Sequence, residues 1–136
     1  MRLVLSDPKT KKSYNVEADE KIKLHLLGKK IKDEVDLTSI SAGLKGVITG
    51  GSDKQGFPMH TKLDSEASKK ILTTKGLGFK TDRSGERRRV RVAGRFVIDK
   101  TAQVNIKLTA GDTTGFQERF PKVKKEEETK KGKKKK

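Results

Sequence analysis

Two stretches of this chain hold residues whose types and spacing could act on an anion. The first is Gly50-Gly-Ser-Asp-Lys-Gln-Gly-Phe-Pro-Met59. Three glycines (Gly50, Gly51, Gly56) and Pro58 within ten residues suit neither a helix nor a strand interior. Glycine costs an element conformational entropy and proline removes a backbone donor. The stretch therefore predicts a shaped loop with free backbone amides and Lys54 in its middle, able to offer oriented donors and a cation to a phosphate oxygen. The competing reading is a glycine-rich hairpin connection with no ligand. A nucleotide-hydrolase phosphate loop is excluded. Gly51 and Gly56 have its spacing, but Phe57 and Pro58 stand where the lysine and the hydroxyl residue belong. Pro58 also disfavours helix at Phe57, so no helix dipole is aimed at the loop.

The second stretch, Lys80 to Arg95, sets Arg83, Arg87, Arg88, Arg89, Arg91 and Arg95 against only Asp82 and Glu86. A guanidinium makes bidentate contacts with phosphates and stacks on bases, whereas lysine acts as a flexible point charge. Arginines on a Ser84-Gly85 turn and the strand after it predict a fixed anion-reading surface. A mixed-sign charge run is ordinarily a solvated face, but this one is nearly single-sign in a chain of formal net charge +16. Phe57 and Phe79 could stack on bases or sit at the edge of a core, and no RNP-type aromatic motif accompanies them.

Catalysis finds no residues to carry it. His25 and His60 are far apart, no nucleophile–base order is evident, and the carboxylates lie in mixed charge clusters. No metal or cofactor site is expected, and zero cysteines exclude a disulfide framework or a thiolate site. The charge asks instead for a polyanion, because self-repulsion on that scale destabilises a compact monomer. Nucleic acid, an anionic membrane and an acidic protein are the candidates. The membrane is disfavoured, with no apolar spanning window, amphipathic helix or lipidation motif. The N-terminus is charged too soon for a signal peptide, and a cytoplasmic location is expected.

The elements that must position these stretches are short. Leu3 and Leu5 alternate on a strand from Arg2 to Ser6, Asp7-Pro8-Lys9-Thr10 supplies turn chemistry, and Tyr14 and Val16 mark the returning strand. Asp19 is expected to cap a helical turn carrying Ile22, Leu26 and Leu27, ended by Gly28. Lys29 to Asp36 reads as a charged connection with Ile31 and Val35 as isolated apolar points. Leu37, Ile40 and Leu44 lead into a strand through Val47 and Ile48 that stops at the glycine-rich loop. Met59 to Leu63 reads as extended, and strands are expected at Lys70–Thr74, Arg88–Val92, Arg95–Ile98 and Val104–Leu108. Val90 and Val92 fall on one face and Arg89 and Arg91 on the other. With 30% hydrophobic residues the core is small. Many short strands with glycine-rich turns predict an all-β, barrel-like body over residues 1–111, with one or two short helices. Residues 112–136 are expected to be a flexible basic tail, its last fifteen residues setting nine lysines against three glutamates.

Gly50 to Met59, and Arg83-Ser-Gly-Glu-Arg-Arg-Arg-Val-Arg91 followed by Ala93-Gly-Arg-Phe-Val-Ile-Asp99, together resemble the small-subunit ribosomal protein S6e family of archaea and eukaryotes. The likeness covers about residues 1–111. It implies a compact barrel-like body and a structural role in the small (30S) ribosomal subunit. The implied partners are 16S-type ribosomal RNA and neighbouring small-subunit proteins, with no small-molecule substrate. Lys54, Gln55, Arg83, Arg87, Arg88, Arg89, Arg91 and Arg95 are the candidate RNA contacts, and Gly50, Gly51, Gly56, Phe57 and Pro58 the residues that shape the loop. The long basic helix with phosphorylated serines of eukaryotic members is missing, so the chain resembles the short archaeal type. The alternative is a free RNA-binding accessory factor or RNA chaperone with a β-barrel body.

Overall fold

A computed structural model describes residues 1–111; the expected tail at 112–136 lies outside the described residues. The chain runs β1 (Arg2–Asp7), β2 (Lys12–Glu17), α1 (Glu20–Leu26), β3 (Glu34–Asp36), β4 (Lys45–Asp53), β5 (Lys69–Thr73), β6 (Arg88–Val92) and β7 (Thr101–Ala110). The strand-dominated body with one short helix is the all-β class expected. It takes the form of a five-stranded mixed sheet ordered β2-β1-β7-β4-β3, with β5 and β6 in a separate two-stranded sheet. The ladder is linear, with β2 and β3 at its ends.

Alternation builds the core. Leu3 lies opposite Val16 on β2 and Val104 on β7, and Leu5 opposite Tyr14 and Ile106. Ile106 in turn faces Ile48 on β4. All of these are buried, and Ile22 and Leu26 of α1 join the same cluster. Each such side chain contributes roughly 1.5–3 kcal/mol through apolar burial. The β1–β2 turn is closed by Asp7, whose carboxylate accepts from the Lys9 amide (2.8 Å) and the Thr10 hydroxyl (2.9 Å). The helix ends at Leu26 with Leu27 as C-cap, and the expected terminator Gly28 follows with φ +79°. Asp19 occupies the N-cap position, but its side chain makes no capping hydrogen bond.

Four local expectations are corrected. Val35 is not an isolated point in a connection: it is buried at the centre of β3, a three-residue edge strand on β4, and Ile31 is buried too. A strand of three residues is too short to show an alternation. Arg95–Ile98 is not a strand of either sheet. It is an extended segment clamped to residues 28–31, with the Gly28 amide donating to Val97 O, the Val97 amide to Lys29 O and the Ile31 amide to Arg95 O. The stretch from Met59 to Leu63 is extended only at its start, where Met59 bridges Ala93, and then turns. Finally, β4 does not stop before the glycines but runs through Gly50 and Gly51 to Asp53.

Candidate nucleic-acid interface

The glycine stretch is a strand end and a tight turn. Irregularities in the β4–β7 pairing, one of them between Ile48 and Gly50, carry the glycines past β7. Gly51 is required by close approach: a Cβ there would lie 2.2 Å from the Gln103 carbonyl oxygen. Gly56 is required by backbone conformation, with φ +86° and open space around it. Gly50 meets neither constraint. The turn is closed by the Gly56 amide on Asp53 O (2.8 Å) and the Asp53 amide on Phe57 O (2.9 Å), and the Met59 amide donates to Gly51 O (3.0 Å). The Lys54 amide donates to Lys100 O (2.9 Å) and to Asp53 Oδ1 (2.6 Å). The expectation of a cradle of free amides is therefore corrected. These four donors are satisfied within the protein, because the turn needs them to close.

What the turn presents outward are the exposed Lys54 and Gln55 side chains. Their surroundings include a carboxylate. Asp99 is paired with Lys23 at 2.5 Å, and that hydrogen bond and charge hold its pKa below the ordinary 3.8, with a smaller contribution from Lys54.

In the arginine block, Arg89 and Arg91 project from the exposed face of β6, while Val90 is half-buried and Val92 buried. Thr73 opposes Arg88, Leu72 opposes Arg89, Ile71 opposes Val90 and Lys70 opposes Arg91. Arg88 shares strand parity with the valines, so Arg89 and Arg91 form one face and Arg88, also exposed, leaves from the other. Arg83 and Arg87 are exposed on the segment before the strand, which turns at Ser84-Gly85 as expected. Among the described residues the ion pairs are Lys23–Asp99, Lys45–Asp36 and Arg95–Asp64. None engages Arg83, Arg87, Arg88, Arg89 or Arg91.

Arg95 stands apart. Its Nε and Nη2 donate to the two carboxylate oxygens of Asp64 at 3.0 and 2.8 Å, and its guanidinium lies 5.4 Å from the Phe96 ring centre. Its fork serves the fold.

The two stretches, separate in sequence, meet in space. The Ala93 amide, one residue past β6, donates to Pro58 O (2.9 Å), and the His60 amide donates back to Ala93 O (3.0 Å). The Arg91 guanidinium lies 5.7 Å from the centre of the half-buried Phe57 ring. Phe57 thus backs an arginine, as cations do over aromatic faces, and Phe79 is a buried residue rather than an open stacking platform. Sequence reasoning missed Lys70 and Leu72 on the Arg89–Arg91 face, because cross-strand register is not written in either strand alone. It also missed Gly94, where a Cβ would overlap the Ser65 carbonyl oxygen.

Compared with known proteins, residues 1–120 match the family described as ribosomal protein S6e. The chain is 40% identical over 124 residues to the small ribosomal subunit protein eS6 of Methanoregula boonei, covering 90% of this chain and 87% of that one. It is 42% identical over 109 residues to the eS6 protein of Methanocorpusculum labreanum, covering 79% and 84%. With that of Methanocaldococcus jannaschii it shares 38% over 108 residues, covering 79% and 80%.

Proposed function

The chain belongs to the ribosomal protein S6e family, and from that premise we propose that it is a non-catalytic structural constituent of the small ribosomal subunit that binds 16S-type ribosomal RNA in the cytoplasm. The observation that carries the RNA contact is the junction of the two basic stretches. Arg87, Arg89 and Arg91 reach solvent with no carboxylate among the ion pairs of the described residues, and the turn bearing Lys54 and Gln55 is bonded to the end of the same strand. Exposed guanidiniums along a strand suit phosphate contacts, which set position and affinity, more than base reading. Arg83 and Arg88 extend the charge to either side. Lys54 and Gln55 reach the RNA backbone as side chains, since the amides of Asp53, Lys54, Gly56 and Met59 are taken within the protein. Fold-borne Arg95 is left out of the contact set.

Salt-washing of small subunits from the source cell tests the role. A structural constituent stays near one copy per particle after a wash that strips loosely bound proteins. Release into the wash, with the particle otherwise intact, would mark a free accessory factor instead.

A further inference from the structure

Beside the arginine face lies an open groove of about 490 Å³, with the segment His60–Leu63 on one side and β5 on the other. We propose that this groove receives one unpaired, unstacked nucleotide of the bound RNA. The inference rests on the RNA-binding reading above and names the form of RNA that the surface takes.

The lining residues divide by chemistry. Leu63, Ile71 and Leu72 are apolar, and Leu72 is 61% exposed on a chain otherwise rich in charge. An exposed leucine beside arginines gains nothing from phosphates, but it matches the apolar face of a base. Lys62 and Arg87 add two cations to the same lining, which suits the phosphate that every nucleotide carries and disfavours an apolar protein side chain as occupant. His60 supplies the aromatic wall. Its Nδ1 accepts from the Lys62 amide at 3.2 Å, which fixes the ring's orientation and leaves Nε2 as the donor of the neutral imidazole. Histidine rings and guanidinium planes are the groups on which splayed-out RNA bases stack. The volume falls within the roughly 300–1,000 Å³ range of small-ligand sites. A duplex cannot use such a groove, because its bases are stacked inside the helix.

The test compares two RNA probes with the full chain. One is a short duplex carrying a single bulged 2-aminopurine, and the other is the same duplex with that nucleotide paired. The bulged probe is expected to bind about tenfold tighter, the order of one base stacked on a side chain, with a change in 2-aminopurine fluorescence on binding. Leu72→Ser and His60→Ala should each erase most of that preference, weakening the bulged probe far more than the paired duplex. Leu72 is mostly exposed, so its replacement spares the fold, and unchanged thermal melting of the variant checks this. Equal affinity for the two probes, or a preference that survives both substitutions, overturns the groove proposal and gives the groove to a protein side chain. Failure to bind either probe would instead overturn the RNA-binding reading itself.

Discussion

Replacing Arg87 and Arg89 together by alanine removes two exposed cations that no described ion pair engages, so the cost should fall on RNA binding and not on folding. Each phosphate contact contributes about 0.7–0.9 to the slope of log K against log salt. The double variant should therefore flatten that slope by about 1.4–1.8. Between about 50 and 200 mM salt the concentration rises fourfold, so the deficit relative to the parent should shrink roughly tenfold across that window. Fluorescence anisotropy with labelled fragments of small-subunit RNA, titrated at several salt concentrations, reads the slope directly. Arg95→Ala is the built-in contrast. Its guanidinium is tied to Asp64 by two hydrogen bonds, so its loss should lower stability by up to about 1 kcal/mol, the ceiling for a partly exposed pair, and leave the slope unchanged. An unchanged slope in the Arg87→Ala, Arg89→Ala variant would refute the assignment of this face to RNA. A flattened slope in Arg95→Ala would show that net charge, not position, governs the effect.

Three further outcomes follow from the turn and its neighbours. In thermal melting, Gly51→Ala should be the most damaging of the turn substitutions, by about 1–3 kcal/mol for overpacking against the Gln103 carbonyl; Gly56→Ala should cost about 1–2 kcal/mol for its positive φ, and Gly50→Ala almost nothing, so equal losses at all three would remove the distinction drawn between them. Phe57→Leu keeps an apolar residue but removes the ring beside Arg91, and should weaken RNA binding about two- to fivefold, as the loss of an exposed cation–π contact does; parental affinity would show that Arg91 needs no backing. The pKa of Asp99 is depressed by Lys23, so that pair stabilises the fold above the ordinary carboxylate value and the contribution is lost as pH falls through the lower folded-state pKa; Lys23→Met should thus shift the urea midpoint at neutral pH and converge with the parent in strong acid, and a shift that persisted in acid would point to lost packing of the lysine stem instead.

The five-stranded sheet was legible where alternation was long enough to see. Leu3 and Leu5, Tyr14 and Val16, and Val104, Ile106 and Leu108 each repeat at period two and are buried as that period requires. Val35 has no such partner in its three-residue strand, so its burial depends on β4 lying beside it, which is a tertiary fact. The glycines misled for a related reason. In isolation they weaken a strand, but here Gly51 stays in one because only glycine lets β4 pass the Gln103 carbonyl. Amides that sequence leaves open are closed by partners as distant as Lys100. At the site, the arginine face followed from strand parity. The contact between Phe57 and Arg91, and the company of Lys70 and Leu72, depended on register and docking that no local pattern encodes.

The placement of the charge follows from where the core is. The main cluster of buried residues draws on β1, β2, β3, β4, β7 and α1, while β5 and β6 contribute none of its members. A two-stranded sheet on its own is marginal in water, and this one sets Lys70 directly opposite Arg91, a like-charge pair that destabilises the hairpin further. Val92 is buried and the Gly76–Phe79 turn lies against Val90 and Val92, which gives the hairpin an apolar side to rest on. Its other side has cations to relieve. On the proposed RNA-binding reading, a phosphate backbone laid over that side would convert the repulsion between Lys70, Arg89 and Arg91 into attraction, so binding would stabilise the hairpin. The same charges on β1 or β7 would penalise the sheet on which the fold depends. On β5 and β6 their cost is confined to the part of the molecule that the proposed RNA ligand would stabilise.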